Sequence, residues 1–300
     1  MLKNAKKQPI LEIISYFFRK FAIHYESFVN MEFNKALYIS QEINPYLNPS
    51  VMSTLCRTVP QGMQERGIEV RTFMPKYGCI NERRNQLHEV IRLSGMNIII
   101  DDTDHPLIIK VATLQPSRMQ VYFIDNDDYF HHSSAAVNPE LEIENDPAEN
   151  DERAIFFARG VVETVRKLRW YPGIIHCSGW ITALNPLYIK SKYADDPAFK
   201  NSKIVYSLFG NGFEGTLDKR FAEKIAMDGI DTAALESIIG GDVDYIAINK
   251  LAIDHADAIV AATDDVPAEL IEYAQASGKP FLPFPGLENP QAYADFYNTL

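Results

Sequence analysis

A short apolar segment, Lys35–Ser40, runs into a loop and then a helical pattern, with Val51, Leu55, Val59 and Met63 at four-residue steps. Strand, loop and helix in that order form an entry where loop amides and a helix N-terminus can face a phosphate. Such a site ordinarily needs glycine, so that backbone can approach the ligand closely. The loop here reads Asn48-Pro49-Ser50-Val51, with no glycine and no lysine. The other residues with chemical potential each have two readings. His176 ends an apolar segment beside the expected cleft, where it serves either a structural hydrogen-bond network or a ligand. Gly210, Gly212 and Gly215 form either an anion-binding nest of amides or a plain turn. His131-His132 has the composition of a metal site, but adjacent loop histidines seldom both ligate one ion, so no metal is expected. Asp101, Asp102 and Asp104 suit a solvated hairpin turn better than a reactive carboxylate cluster. Neither GxGxxG nor a P-loop spacing occurs, which removes support for a nucleotide-dependent oxidoreductase or kinase. No cofactor is implied.

Bulk properties narrow the classes further. The chain has 300 residues, 46% of them apolar, enough for one large or two small cores. Its net charge of −11 argues against nucleic acid or an anionic membrane as the main partner. The three cysteines, Cys56, Cys79 and Cys177, are widely spaced, which fits reduced thiols and a cytoplasmic protein. No apolar run approaches the roughly 20 residues needed to span a bilayer. Residues 1–30 read as an extension outside the core. Leu11–Tyr25 is amphipathic, but Glu12, Arg19 and Lys20 interrupt it and no small-residue cleavage site follows. The expected domain is 31–300, with Met31 as the natural start.

Strands and helices alternate after Met31, the pattern of a three-layer α/β/α Rossmann-like domain with a mainly parallel sheet. Expected strands include 69–74, 173–177, 203–208 and 258–262. Expected helices include 150–170, 182–190, 217–227, 244–255 and 265–276. On the 150–170 helix, Ile155, Val162, Val165 and Arg169 share one stripe. Four short strands between 87 and 124 read as hairpins added at one side of the sheet. The acidic run from Glu140 to Glu152 reads as a solvated loop entering that helix, and the proline- and aromatic-rich tail 281–300 as too short for another Rossmann unit.

Five landmarks now carry a resemblance. SQEINPY (Ser40–Tyr46), RGIEVRTFMPKYG (Arg66–Gly78), VYFIDNDDYF (Val121–Phe130), GWITALNPLYIK (Gly179–Lys190) and HADAIVAAT (His255–Thr263) follow one another in order. From about Lys35 to Ala276 the chain resembles the N-terminal domain of bacterial glycogen synthases and plant starch synthases. Their counterparts of the first four segments read SEVAPF, RGHDVRVVMPRYG, VYFIDNPEYF and DWHTALAPLLLK. The resemblance implies one half of a GT-B glycosyltransferase, a retaining enzyme that moves glucose from ADP-glucose to the end of an α-1,4-glucan. It implies an α-glucan or maltooligosaccharide as partner, and ADP-glucose when a separate C-terminal-domain protein completes the cleft.

The departures fall on chemistry. The family's lysine-threonine-glycine-glycine-leucine loop aligns on Asn48, Pro49, Ser50, Val51 and Met52. Its histidine-alanine-histidine-aspartate-tryptophan-histidine stretch falls on His176–Ile181, so the last histidine, which lines the sugar pocket, is Ile181. The aspartate opening its DNxxR motif is Glu149, ahead of Asn150 and Arg153. Its IHNLAYQG turn becomes LFGNGFEG, Leu208–Gly215. The positions the resemblance marks are thus Glu149 for catalysis, and Tyr46, Asn48, Ser50, His176, Trp180, Asn211 and Phe213 for substrate. Tyr46, Trp180 and Phe213 fall just beyond strand ends, where an aromatic face could stack on a sugar. Two functions follow: the N-terminal half of a glucosyltransferase that acts with a partner domain, or a non-catalytic glycan-binding or regulatory protein with a degenerate donor site.

Overall fold

The computed structural model describes residues 33–130 and 147–300. The amphipathic stretch 11–25, the expected start at Met31, His131-His132 and most of the acidic run lie outside the described residues. In chain order the first elements are β1 (Lys35–Ser40), α1 (Val51–Glu65), β2 (Glu69–Pro75), α2 (Glu82–Asn85), β3 (His88–Glu89), β4 (Met96–Ile100), β5 (Thr103–Leu114), β6 (Met119–Asp125) and α3 (Asp127–Phe130). The second half comprises α4 (Pro147–Leu168), β7 (Ile174–Ser178), a 3₁₀ turn (Trp180–Thr182), α5 (Leu184–Lys190), β8 (Lys203–Leu208), α6 (Phe221–Ala226), a second 3₁₀ turn (Thr232–Leu235), α7 (Tyr245–His255), β9 (Ala258–Ala261), α8 (Ala268–Ala276), β10 (Phe281–Leu282) and α9 (Pro290–Tyr297).

The sheet runs β10-β9-β8-β7-β1-β2-β6-β5-β3, with β4 paired to β5. The neighbours from β10 to β6 are all parallel, and β5 is antiparallel to β3, β4 and β6. The expected fold class is the observed one. One expectation needs refinement: MQVYFID (β6) does close a hairpin with β5, but its other edge pairs in parallel with β2, Thr72 opposite Val121, so it belongs to the central sheet. Its nearly continuous burial marks it as a core strand, because a parallel strand is covered on both faces. Arg169 also departs from the expected stripe. It lies one residue past α4 at φ 49° and is exposed, while Ile155, Val162 and Val165 are buried.

The chain order reverses at β1, whose neighbours β2 and β7 lead outward in opposite directions. The crevice beyond the C-terminal ends of β1 and β7 is therefore the switch point where such sheets bind ligands. Gly179 follows β7 there at φ 89°, and a Cβ on it would come within 2.8 Å of Gln41. Only glycine meets both demands. The tail contributes structure as well. β10 extends the sheet edge beside β9, and α9 packs on α1, burying Tyr293 and Tyr297.

Candidate functional site

The loop after β1 is built around its own side chains. Ser50 caps α1: its Oγ accepts from the Ser53 amide at 2.8 Å, and the Ser50 amide donates to Ser53 Oγ at 2.8 Å. Each bond satisfies a donor that a helix start would otherwise leave free. Ser50 Oγ also donates to Glu42 Oε2 at 2.6 Å, and Glu42 is buried. The positive end of α1 thus already has a carboxylate and a hydroxyl against it. Val51, aligned in the notional phosphate path, is 44% exposed and faces outward rather than joining Leu55, Val59 and Met63 in the core.

Ser50, Val51 and Met52 form one wall of an open cleft of about 580 Å³. Phe209 and Asn211 come from the loop after β8, and Thr263, Asp264 and Asp265 from the loop after β9. The tail supplies Phe284, Gly286 and Leu287. Among the described residues lining it there are two carboxylates and no lysine, arginine or histidine. The glycine turn at its edge is shaped by packing. A Cβ on Gly210 would fall 2.2 Å from the Asp265 carboxylate, and one on Gly212 would fall 2.2 Å from the Tyr245 ring. Asp265 therefore fills the space over Gly210.

On the other side of the same loop, Asn48 and Tyr46 line a second, polar cavity of about 260 Å³ with Asn81, Arg84 and Asn85. The marked positions are therefore divided: Ser50 and Asn211 in the large cleft, Tyr46 and Asn48 in the small one. His176 is in neither. It is buried beneath the sheet end, with Nδ1 2.5 Å from the Tyr297 hydroxyl and Nε2 2.6 Å from Ser207 Oγ. Burial lowers its pKa to about 3, so it is a neutral, doubly bonded structural group at neutral pH. Burial likewise pushes the Cys56 thiol up to about 12.

Trp180 and Phe213 correct the expectation of exposed stacking faces. Both are buried, their rings meeting edge to face at 4.7 Å, with Tyr245 behind Phe213. Glu149 lines neither cavity. In the first turn of α4 it accepts from Arg153 Nη2 at 2.7 Å, while Arg153 also donates to Asn150 Oδ1 at 3.0 Å and to the Tyr129 carbonyl at 2.8 Å. That cluster adjoins a buried ion network in which Lys224 bridges Asp151 (2.7 Å) and Glu152 (2.6 Å). Sequence reasoning passed over Asp265, Arg84 and the tail residues. Asp101 and Asp102 occupy the β4–β5 turn at φ 47° and 61°, and Asp101 pairs with Arg220 at 2.7 Å, a structural turn. Among the described residues no group of three His, Cys, Asp or Glu could hold a metal ion, and no helix is long and apolar enough to cross a membrane.

A mostly parallel sheet with a switch-point cleft at its centre is the fold of one half of a GT-B glycosyltransferase. The catalytic domain of starch synthase IV from Arabidopsis thaliana, solved with ADP and acarbose, superposes with a TM-score of 0.63 at 17% identity, covering 85% of this chain and 52% of that one. The starch synthase catalytic domain family matches residues 35–279, and the chain belongs to that family. The glycogen synthase of Chlorobaculum tepidum is 34% identical over 244 residues, 81% of this chain and 48% of its own length. That of Chlorobium luteolum is 34% identical over 242 residues, 78% of this chain and 48% of its own. The chain thus spans about half the length of the curated relatives it matches.

Proposed function

We propose that this domain binds a neutral α-glucan at the cleft beyond β1, β8 and β9, and that it does not by itself transfer glucose from ADP-glucose. The observation that carries this reading is the charge of the cleft: Asp264 and Asp265 on one wall, Glu42 behind the cap of α1, and no basic residue among the described ones lining it. A phosphate about 5 Å from such a carboxylate meets roughly 1–3 kcal/mol of repulsion, depending on solvent access. Proline at position 49 removes one amide donor, and Val51 adds bulk where glycine allows close approach. A sugar faces no such penalty. Its C–H faces suit Val51, Phe284 and Leu287, and its hydroxyls suit Asn211, Thr263 and the two carboxylates, which accept hydrogen bonds. Millimolar affinity is expected, about −4 kcal/mol.

A second reading is favoured by one observation, the match of residues 35–279 to the starch synthase catalytic domain family. In it the domain is the acceptor half of a split glucosyltransferase, with Glu149 near the reaction and the donor held by a separate protein. The test is incorporation of labelled glucose from ADP-glucose into glycogen, with and without candidate partner chains. No incorporation under either condition supports the glycan-binding reading. Incorporation only with a partner supports the split enzyme, and robust turnover by the chain alone would overturn both.

A further inference from the structure

The polar cavity between the β1 loop and α2 is not an offshoot of the main cleft, and its hydrogen-bonding atoms specify what it can take. The α2 turn fixes the orientation of two amides. Asn81 Oδ1 accepts from the Arg84 amide at 2.9 Å, which leaves its Nδ2 group to donate into solvent. Asn85 Nδ2 donates to the Asn81 carbonyl at 2.9 Å, which leaves its Oδ1 to accept. The Arg84 guanidinium is exposed and makes no ion pair among the described residues. The cavity thus offers donors from Asn81 and Arg84 beside an acceptor from Asn85. The ionised pyrophosphate of a sugar nucleotide only accepts and would find that acceptor facing it. A sugar hydroxyl both donates and accepts, and so satisfies the mixed set.

The two cavities share one wall. Asn48 faces the polar cavity and Ser50 the large cleft, so their Cα atoms are at most about 7.6 Å apart along two peptide units. A single oligosaccharide can cross so thin a ridge. We infer that the Asn81–Arg84–Asn85 cavity is a second glucan subsite, and that one α-glucan chain occupies both cavities across the Asn48–Ser50 ridge. This rests on the glycan-binding reading above and adds to it a site and a chain-length requirement. A chain long enough to reach both sites gains from the second contact being intramolecular, whereas a disaccharide fills only the larger cleft.

The experiment is a calorimetric and NMR titration of the full chain with maltose and with maltohexaose. It uses the wild type, Arg84→Gln, and Arg83→Gln as a neighbouring control, each variant first shown to melt like the wild type. The expected result is maltohexaose binding about tenfold tighter than maltose, with amide shifts at 81–85 as well as at 209–211 and 263–265. Arg84→Gln should erase most of that advantage while leaving maltose within about twofold, and Arg83→Gln should change neither. Maltohexaose binding that is indifferent to Arg84→Gln, with shifts confined to the large cleft, would overturn the second subsite and leave the first standing. Displacement of maltohexaose from residues 81–85 by excess inorganic phosphate would also overturn it, as an anion site. No binding of either sugar would overturn both readings together.

Discussion

Ser50→Ala tests whether the start of α1 is already occupied by the chain's own groups. The substitution removes an N-cap, which contributes about 1 kcal/mol in comparable helices. It also removes the 2.6 Å hydrogen bond to Glu42, a carboxylate only 4% exposed. Hydrogen bonds to charged groups contribute about 1.5–3 kcal/mol, and the loss is felt most where the charge stays buried. The two together predict a destabilisation of about 2.5–4 kcal/mol. Ser50→Gly separates them, because glycine is nearly as good an N-cap as serine. It loses both Oγ bonds, as alanine does, but keeps most of the capping stability, and should sit about 1 kcal/mol above the alanine variant. In a Glu42→Gln background the cost of Ser50→Ala should shrink, since a neutral amide needs the hydroxyl less. Urea unfolding, read as a change in midpoint at constant slope, supplies the measurement. A Ser50→Ala protein within about 0.5 kcal/mol of wild type would behave like an ordinary surface change. The helix terminus would then be open, and the argument against a phosphate there would fail.

Two further outcomes follow from the structure. His176 has a pKa of about 3 when folded and about 6.5 when unfolded, so between those values the unfolded chain binds the extra proton and stability falls as pH falls. At pH 5.0 this contribution is about 2 kcal/mol lower than at pH 7.5; His176→Asn should flatten that part of a stability–pH profile, and an unchanged slope would contradict the assignment. Gly62→Ala ordinarily favours a helix by up to about 1 kcal/mol, but a Cβ there would meet Pro290 at 2.6 Å, so the variant should lower the melting temperature by displacing α9; a raised value would show that α9 does not dock on α1.

Much of the scaffold is legible in the sequence because apolar runs and periodicity report burial directly. The spans 35–40 and 203–208 are strands with the expected bounds, and Leu55, Val59 and Met63 form the buried face of α1. What eluded the sequence depends on partners in space. β6 carries no local sign of its second neighbour, β2; only its nearly apolar run, interrupted by Gln120, hints at a strand covered on both faces. The Asn289-Pro290 pair is an N-cap followed by proline at the first helical position, a start signal for α9 that the composition of the tail obscured. Trp180 and Phe213 do lie beyond strand ends, but whether such rings are exposed is decided by Tyr245, which no spacing links to them. The second cavity needed the fold to bring Arg84 beside Asn48.

The central claim is that the cleft accepts a neutral glucan and refuses an anionic sugar nucleotide. Its most direct test is a titration of the full chain with maltohexaose and, separately, with ADP-glucose, followed by amide chemical shifts of residues 48–53, 209–211 and 263–265. The account predicts saturable shifts with maltohexaose and none with ADP-glucose at matched concentrations. Saturable ADP-glucose shifts centred on residues 48–53, at the N-terminus of α1, would contradict it.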